Sequence, residues 1–71
     1  MQEMTRRVLG LAARGMSSSE IADDLGVDVD VVRGHLDEAM GALGARSRLE
    51  AVILGIRRGV IRVEGRDAIE A

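Results

Sequence analysis

Residues 15–36 read GMSSSEIADDLGVDVDVVRGHL, and this stretch contains two helix starts separated by one stop. Ser17 and Glu20 have the Ser-x-x-Glu spacing of a capping box, in which a hydroxyl and a carboxylate each satisfy a backbone N–H left without a partner at a helix start. A helix is predicted over 18–25, with Ile21, Ala22 and Leu25 on one face and Gly26 ending it. Asp28 stands where it can cap another helix, predicted over 29–43. Val32, Leu36, Ala39, Met40 and Leu43 make its inward stripe, and Gly44 stops it.

Two helices joined by a turn as short as Gly26 to Asp28 have the layout of a helix-turn-helix, in which the first helix braces the second for a major groove. Ala22 is small where the two helices must come close. Gly26 can take φ > 0 in the turn, and Val32 can wedge between the helices. Any small helical bundle contains short helices ended by glycine, so spacing alone leaves the motif open.

Outward from this stretch the helical pattern continues. Met4, Val8, Leu11 and Ala12 recur at helical spacing before Gly15, which predicts a first helix over about 2–14 with Arg6, Arg7 and Arg14 on its polar flank. Ser47 and Glu50 form a second Ser-x-x-Glu pair and open a fourth helix over about 48–58, ended by Gly59. The tail from Val60 to Ala71 has weak signals and is expected to fray, and the domain is drawn over 1–61 with a tail over 62–71. With no proline and no sustained alternation, the fold class is all-α, a compact four-helix domain.

Composition narrows the function. The chain has 71 residues, room for one domain, and a domain this small buries only about 60% of the surface its unfolded chain exposes. It has no Phe, Tyr or Trp, so the core must come from aliphatic side chains, and base stacking of the kind used by single-strand binders is excluded. Without cysteine there is neither a disulfide framework nor a thiolate metal site, and the one histidine, His35, cannot build a zinc centre alone, so no metal site is expected. His35 reads as a half-buried structural residue beside Leu36, since no catalytic base or nucleophile can be assembled around it. No catalytic residues, cofactor or enzyme activity are expected. The longest apolar run, Ala51 to Leu54, cannot span a bilayer, and no signal peptide is legible, so a cytoplasmic protein is expected.

Several blocks carry a resemblance. Val8-Leu9, the stretch from Gly15 to Gly26, Val32 to Leu36, Leu43-Gly44, Arg46 to Val52 and Arg57 to Ile61 resemble the LuxR (GerE-type) helix-turn-helix family, in order and in register over residues 4–61. The resemblance implies a bacterial transcription regulator that binds double-stranded DNA as a homodimer. It puts the third helix in the major groove and the fourth at the dimer contact, and it implies a domain that often ends a larger sensor or response regulator. The positions that match the reading face are Asp30, Val31, Arg33, Gly34, Asp37, Glu38, Gly41 and Ala42. Ser18, Ser19, Arg46, Ser47 and Arg48 are expected phosphate contacts. Ser17 and Ser47 read equally well as caps alone.

The sequence departs from the family pattern at the reading helix. Residues 28–45 net −3, whereas 46–71 net +2, and only Arg33 offers a long cation to DNA. Cations that displace counterions dominate affinity for the phosphate backbone, so the acids weaken the expected complex unless they point away or read cytosine amino groups. Thr5 stands where the family usually has glutamate, which predicts a missing N-terminal buttress. An interaction module that kept the fold and lost DNA is the competing function. In the fourth helix, Leu49, Val52, Ile53 and Ile56 make one apolar stripe, suited to the core. Ala51, Leu54 and Gly55 make an adjacent one, expected to face a partner's helix, with Arg58 at its end.

Overall fold

The computed structural model describes residues 1–62, which form α1 (Glu3–Ala13), α2 (Ser18–Leu25), α3 (Val29–Leu43) and α4 (Arg48–Arg57). Each helix lies within a residue or two of its predicted span, because the signals that bound it are local. At Gly26 the backbone is left-handed, with φ 69°, and the N–H of Val27 closes the end of α2 on the carbonyl of Ala22 at 3.0 Å. A side chain at that φ would be strained, so glycine is what lets the chain turn here. Residues 63–71, most of the tail expected to fray, lie outside the described residues.

The caps differ in detail from the expectation. The box at α2 is complete: Ser17 Oγ accepts from the Glu20 N–H at 3.1 Å, and Glu20 Oε1 accepts from the Ser17 N–H at 2.8 Å. At α4 Ser47 Oγ accepts from Glu50 N–H, but the Glu50 carboxylate reaches past Ser47 to the N–H of Arg46, at 2.6 Å. Asp28 occupies the N-cap position of α3 without a side-chain cap bond, so the expected cap there is corrected. The acid at that end that can oppose the helix dipole from inside the first turn is Asp30.

α3 packs against all three other helices. Val8 and Ala12 of α1, Ile21 and Ala22 of α2, and Val32 and Leu36 of α3 form one buried cluster. Leu9, Ala39, Leu43, Ala51 and Ile61 form a second, and Val52 touches both. Burying α1 on two sides required more than the predicted stripe: Leu9 and Thr5 are fully buried, while Met4 and Leu11 are half-buried. Ile61 is also buried, which fastens the chain beyond α4 to the core and takes Val60 and Ile61 out of the fraying tail.

The expected orientation of α4 is corrected in part: Val52 and Ile56 pack against the core as expected, but Leu49 and Ile53 do not. Ala51 and Gly55 face the core, Leu54 is half-buried against the second cluster, and Leu49 and Ile53 are the exposed apolar residues, at 69% and 41%. The reason is steric. A β-carbon on Gly55 would meet Leu9 Cδ2 at 3.0 Å and Ile61 Cγ1 at 3.2 Å, so only the small-residue side of α4 can seat this closely on α1 and the segment after it. No helix among the described residues is long and apolar enough to cross a membrane.

Candidate nucleic-acid interface

The geometry of the α2–α3 pair follows from three side chains. Ala22 is 5% exposed where α2 meets α3, Val32 is fully buried between them, and Gly26 makes the turn. The inward residues of α3 recur at Val32, Leu36, Ala39 and Leu43, which turns Asp30, Arg33, Gly34, Asp37 and Gly41 outward. Val31 and Ala42 are exposed on one flank of this face.

The charge of the outer face is smaller than its sequence suggests. Arg33 Nη1 lies 3.7 Å from Asp30 Oδ1, one turn apart on the helix. Both side chains are well exposed, and such a pair is worth only about 0.3–0.5 kcal/mol, so Arg33 is free to exchange Asp30 for a stronger partner. Glu38 is partly engaged elsewhere: its carboxylate accepts from the hydroxyl of Thr5 in α1 at 2.8 Å, while its side chain stays 44% exposed. Asp37 remains exposed among glycines, since a β-carbon on Gly34 or Gly41 would meet nothing within 4 Å. The outer face is therefore flat, with Arg33 as its one long cation.

Thr5 corrects a second expectation. The N-terminal buttress is present in another chemistry: Thr5 Oγ1 is fully buried, 2.9 Å from His35 Nδ1 and bonded to Glu38, so α1 and α3 are tied by hydrogen bonds. Its signal was legible, because Thr5 falls on the same helical stripe as Val8, Leu9 and Ala12. His35 is the half-buried structural residue that the sequence suggested.

The predicted phosphate contacts divide. Arg48 and Ser18, thirty residues apart, are brought together: the guanidinium donates to Ser18 Oγ at 3.3 Å and to the carbonyl of Met16. This ties α4 to the start of α2. Ser47 uses its hydroxyl as a cap, while Ser19 and the side chain of Arg46 are exposed. Arg58 donates to the carbonyl of Leu43 at 3.2 Å, satisfying a carbonyl at the end of α3 and joining the ends of α3 and α4. Of the four residues expected at a dimer contact, Ala51 and Gly55 are buried, Leu54 is half-buried and Arg58 is engaged with α3. Leu49 and Ile53, expected on the core stripe, are exposed instead.

A family model described as bacterial regulatory proteins, luxR family, matches residues 3–54. The chain is similar to the transcriptional regulatory protein YdfI of Bacillus subtilis (strain 168), 39% identical over 57 residues, which are 80% of this chain and 27% of YdfI. It is also similar to the spore germination protein GerE of the same organism, 33% identical over 58 residues, covering 82% of this chain and 78% of GerE. The chain thus spans about a quarter of the first relative's length and most of the second's. Among solved structures, that of the transcription factor GerE superposes with a TM-score of 0.82 at 24% identity, over 87% of this chain and 92% of that one, a likeness of fold.

Proposed function

The chain belongs to the luxR family of bacterial regulatory proteins, as a helix-turn-helix domain of the GerE type, and from that premise we propose that it binds double-stranded DNA as a homodimer through α3. The family is one of transcriptional regulators, not of enzymes. The observation that carries the reading is the outward face of α3, where Arg33 is held only by an exposed carboxylate. Arg33 reads a base edge, and a bidentate contact with guanine is worth about 1–3 kcal/mol. Exposed Ser19 and Arg46, with Ser18 and Arg48 at the start of α2, meet phosphate, and Val31, Gly34 and Asp37 line the groove. Leu49 and Ile53 make the contact between copies, in place of Ala51 and Gly55. The protein acts in the cytoplasm, as the DNA-binding part of a larger regulator or by itself.

A second reading has its own observation. The flat face of Asp37, Gly34 and Gly41 offers DNA few donors and suits a protein partner, so a helix-turn-helix that became an interaction module competes with the first reading. Titrating a labelled duplex pool with a randomised core at two salt concentrations separates them. DNA reading gives binding that weakens steeply with salt and a guanine preference that disappears in Arg33→Ala. An interaction module gives no salt-sensitive binding.

A further inference from the structure

We propose that Thr5 is a positioning residue for α3: its hydroxyl relays a hydrogen-bond chain from His35 to Glu38 that sets the tautomer of His35 and the roll of α3 about its own axis. The functional half of this assignment rests on the DNA-binding reading above, and the chemical half does not.

The relay follows from counting hydrogens. A threonine hydroxyl carries one hydrogen, and Thr5 Oγ1 donates it to Glu38 Oε1 at 2.8 Å. The same oxygen lies 2.9 Å from His35 Nδ1. With its hydrogen committed it can only accept there, so the neutral imidazole carries its proton on Nδ1. The direct separation of His35 Nδ1 from Glu38 Oε1 is 3.7 Å, too long for a good hydrogen bond, so the hydroxyl is the connection. No buried side-chain nitrogen or oxygen among the described residues lacks a partner, and His35 is bonded through Nδ1, which leaves Nε2 as a bare acceptor in contact with solvent. The bond made by one ring nitrogen decides which of the two is protonated.

The relay positions because it is directional where the rest of the contact is not. Val32, Leu36, Ala39 and Leu43 hold α3 by apolar burial, whose close packing limits a roll but supplies no directional bond. Thr5 is the buried polar side chain of the described core, and it grips α3 at two side chains three residues apart with a single atom. A roll of about 20° would move a side-chain tip by about 2 Å on a helix of ~5–6 Å outer radius. That displacement breaks both bonds to Thr5 and also redirects Arg33. One hydroxyl of α1 thereby sets the direction in which the reading helix presents its cation.

Imidazole nitrogen NMR and the duplex titration on the full chain test the assignment. The wild type is expected to show the Nδ1–H tautomer. Glu38→Ala returns the Thr5 hydrogen to His35 and is expected to shift the ring to Nε2–H. Thr5→Val should lose the tautomer preference and bind duplex roughly five- to tenfold more weakly at a temperature where it is folded, a loss on the scale of one or two hydrogen bonds. Thr5→Ser, which keeps the hydroxyl, should restore both. If Thr5→Val fails to fold, Glu38→Ala and Thr5→Ser still decide the relay. An Nε2–H tautomer in the wild type overturns the relay, and so does a Glu38→Ala spectrum like the wild type's. A Thr5→Val protein with lowered stability but unchanged affinity overturns the positioning role. A wild type that binds no duplex overturns the DNA reading and the functional half with it, while the tautomer data judge the relay on their own.

Discussion

Gly55 of α4 lies against Leu9 of α1 so closely that a β-carbon on Gly55 would stand 3.0 Å from Leu9 Cδ2. Leu9 is fully buried, so it cannot yield by swinging into solvent. Gly55→Ala gains about 0.5–1 kcal/mol of helix propensity but crowds a filled core, where overpacking costs about 1–3 kcal/mol. A net loss of about 1 kcal/mol is expected, read as a lower urea midpoint.

Gly34 and Gly41 should respond the opposite way. Both are in the interior of α3, exposed, with helical φ and open space where a β-carbon would go. Gly34→Ala and Gly41→Ala should each stabilise the domain by about 0.5–1 kcal/mol, mainly by restricting the unfolded chain. Denaturant titration checks this, and a destabilised Gly34→Ala would mean that the face is more crowded than the structure has it.

Leu49 and Ile53 stand one turn apart on the exposed side of α4. Leu49→Glu and Ile53→Glu should yield folded monomers if this face joins two copies, with unchanged helicity and a lower sedimentation coefficient than the wild type. Leu54→Glu, by contrast, buries charge against the second cluster and should lower stability itself. A wild type that stays monomeric at high micromolar concentration would sink the dimer assignment.

Glu20 gives a pH dependence of known sign. The N–H of Ser17, and secondarily its hydroxyl, hold the Glu20 carboxyl below the ordinary glutamate range. A depressed acid stabilises the fold above its unfolded value and loses that contribution as pH falls through the folded value. The stability gap between wild type and Glu20→Ala should therefore be full at neutral pH and close in acid. Ser17→Ala, which removes the cap oxygen, should cost about 1 kcal/mol at neutral pH.

The four helices were legible because their ends are written in single residues and their immediate neighbours. Ser17 with Glu20, Ser47, and glycines 15, 26, 44 and 59, which all take positive φ, act within one turn of themselves. The Ala22–Gly26–Val32 core of the helix-turn-helix was legible for a similar reason, since its three residues lie within eleven positions of one another. The proposed phosphate contacts were legible only as residue types. That Arg48 spends donors on Met16 and Ser18 depends on residues thirty positions apart.

Helix boundaries, the motif and the family pattern were thus determined by the sequence itself, through short-range hydrogen bonding and backbone freedom. Which side of α4 faces inward was decided by the tertiary structure alone. Two apolar stripes compete there, and the choice depends on whether Leu9 and Ile61 can close over Gly55. The fate of the acids on α3 was settled in the same way. Glu38 counts against DNA when read along the chain, and only the fold brings it to the hydroxyl of Thr5, thirty-three residues away, where a hydrogen bond draws its carboxylate toward α1.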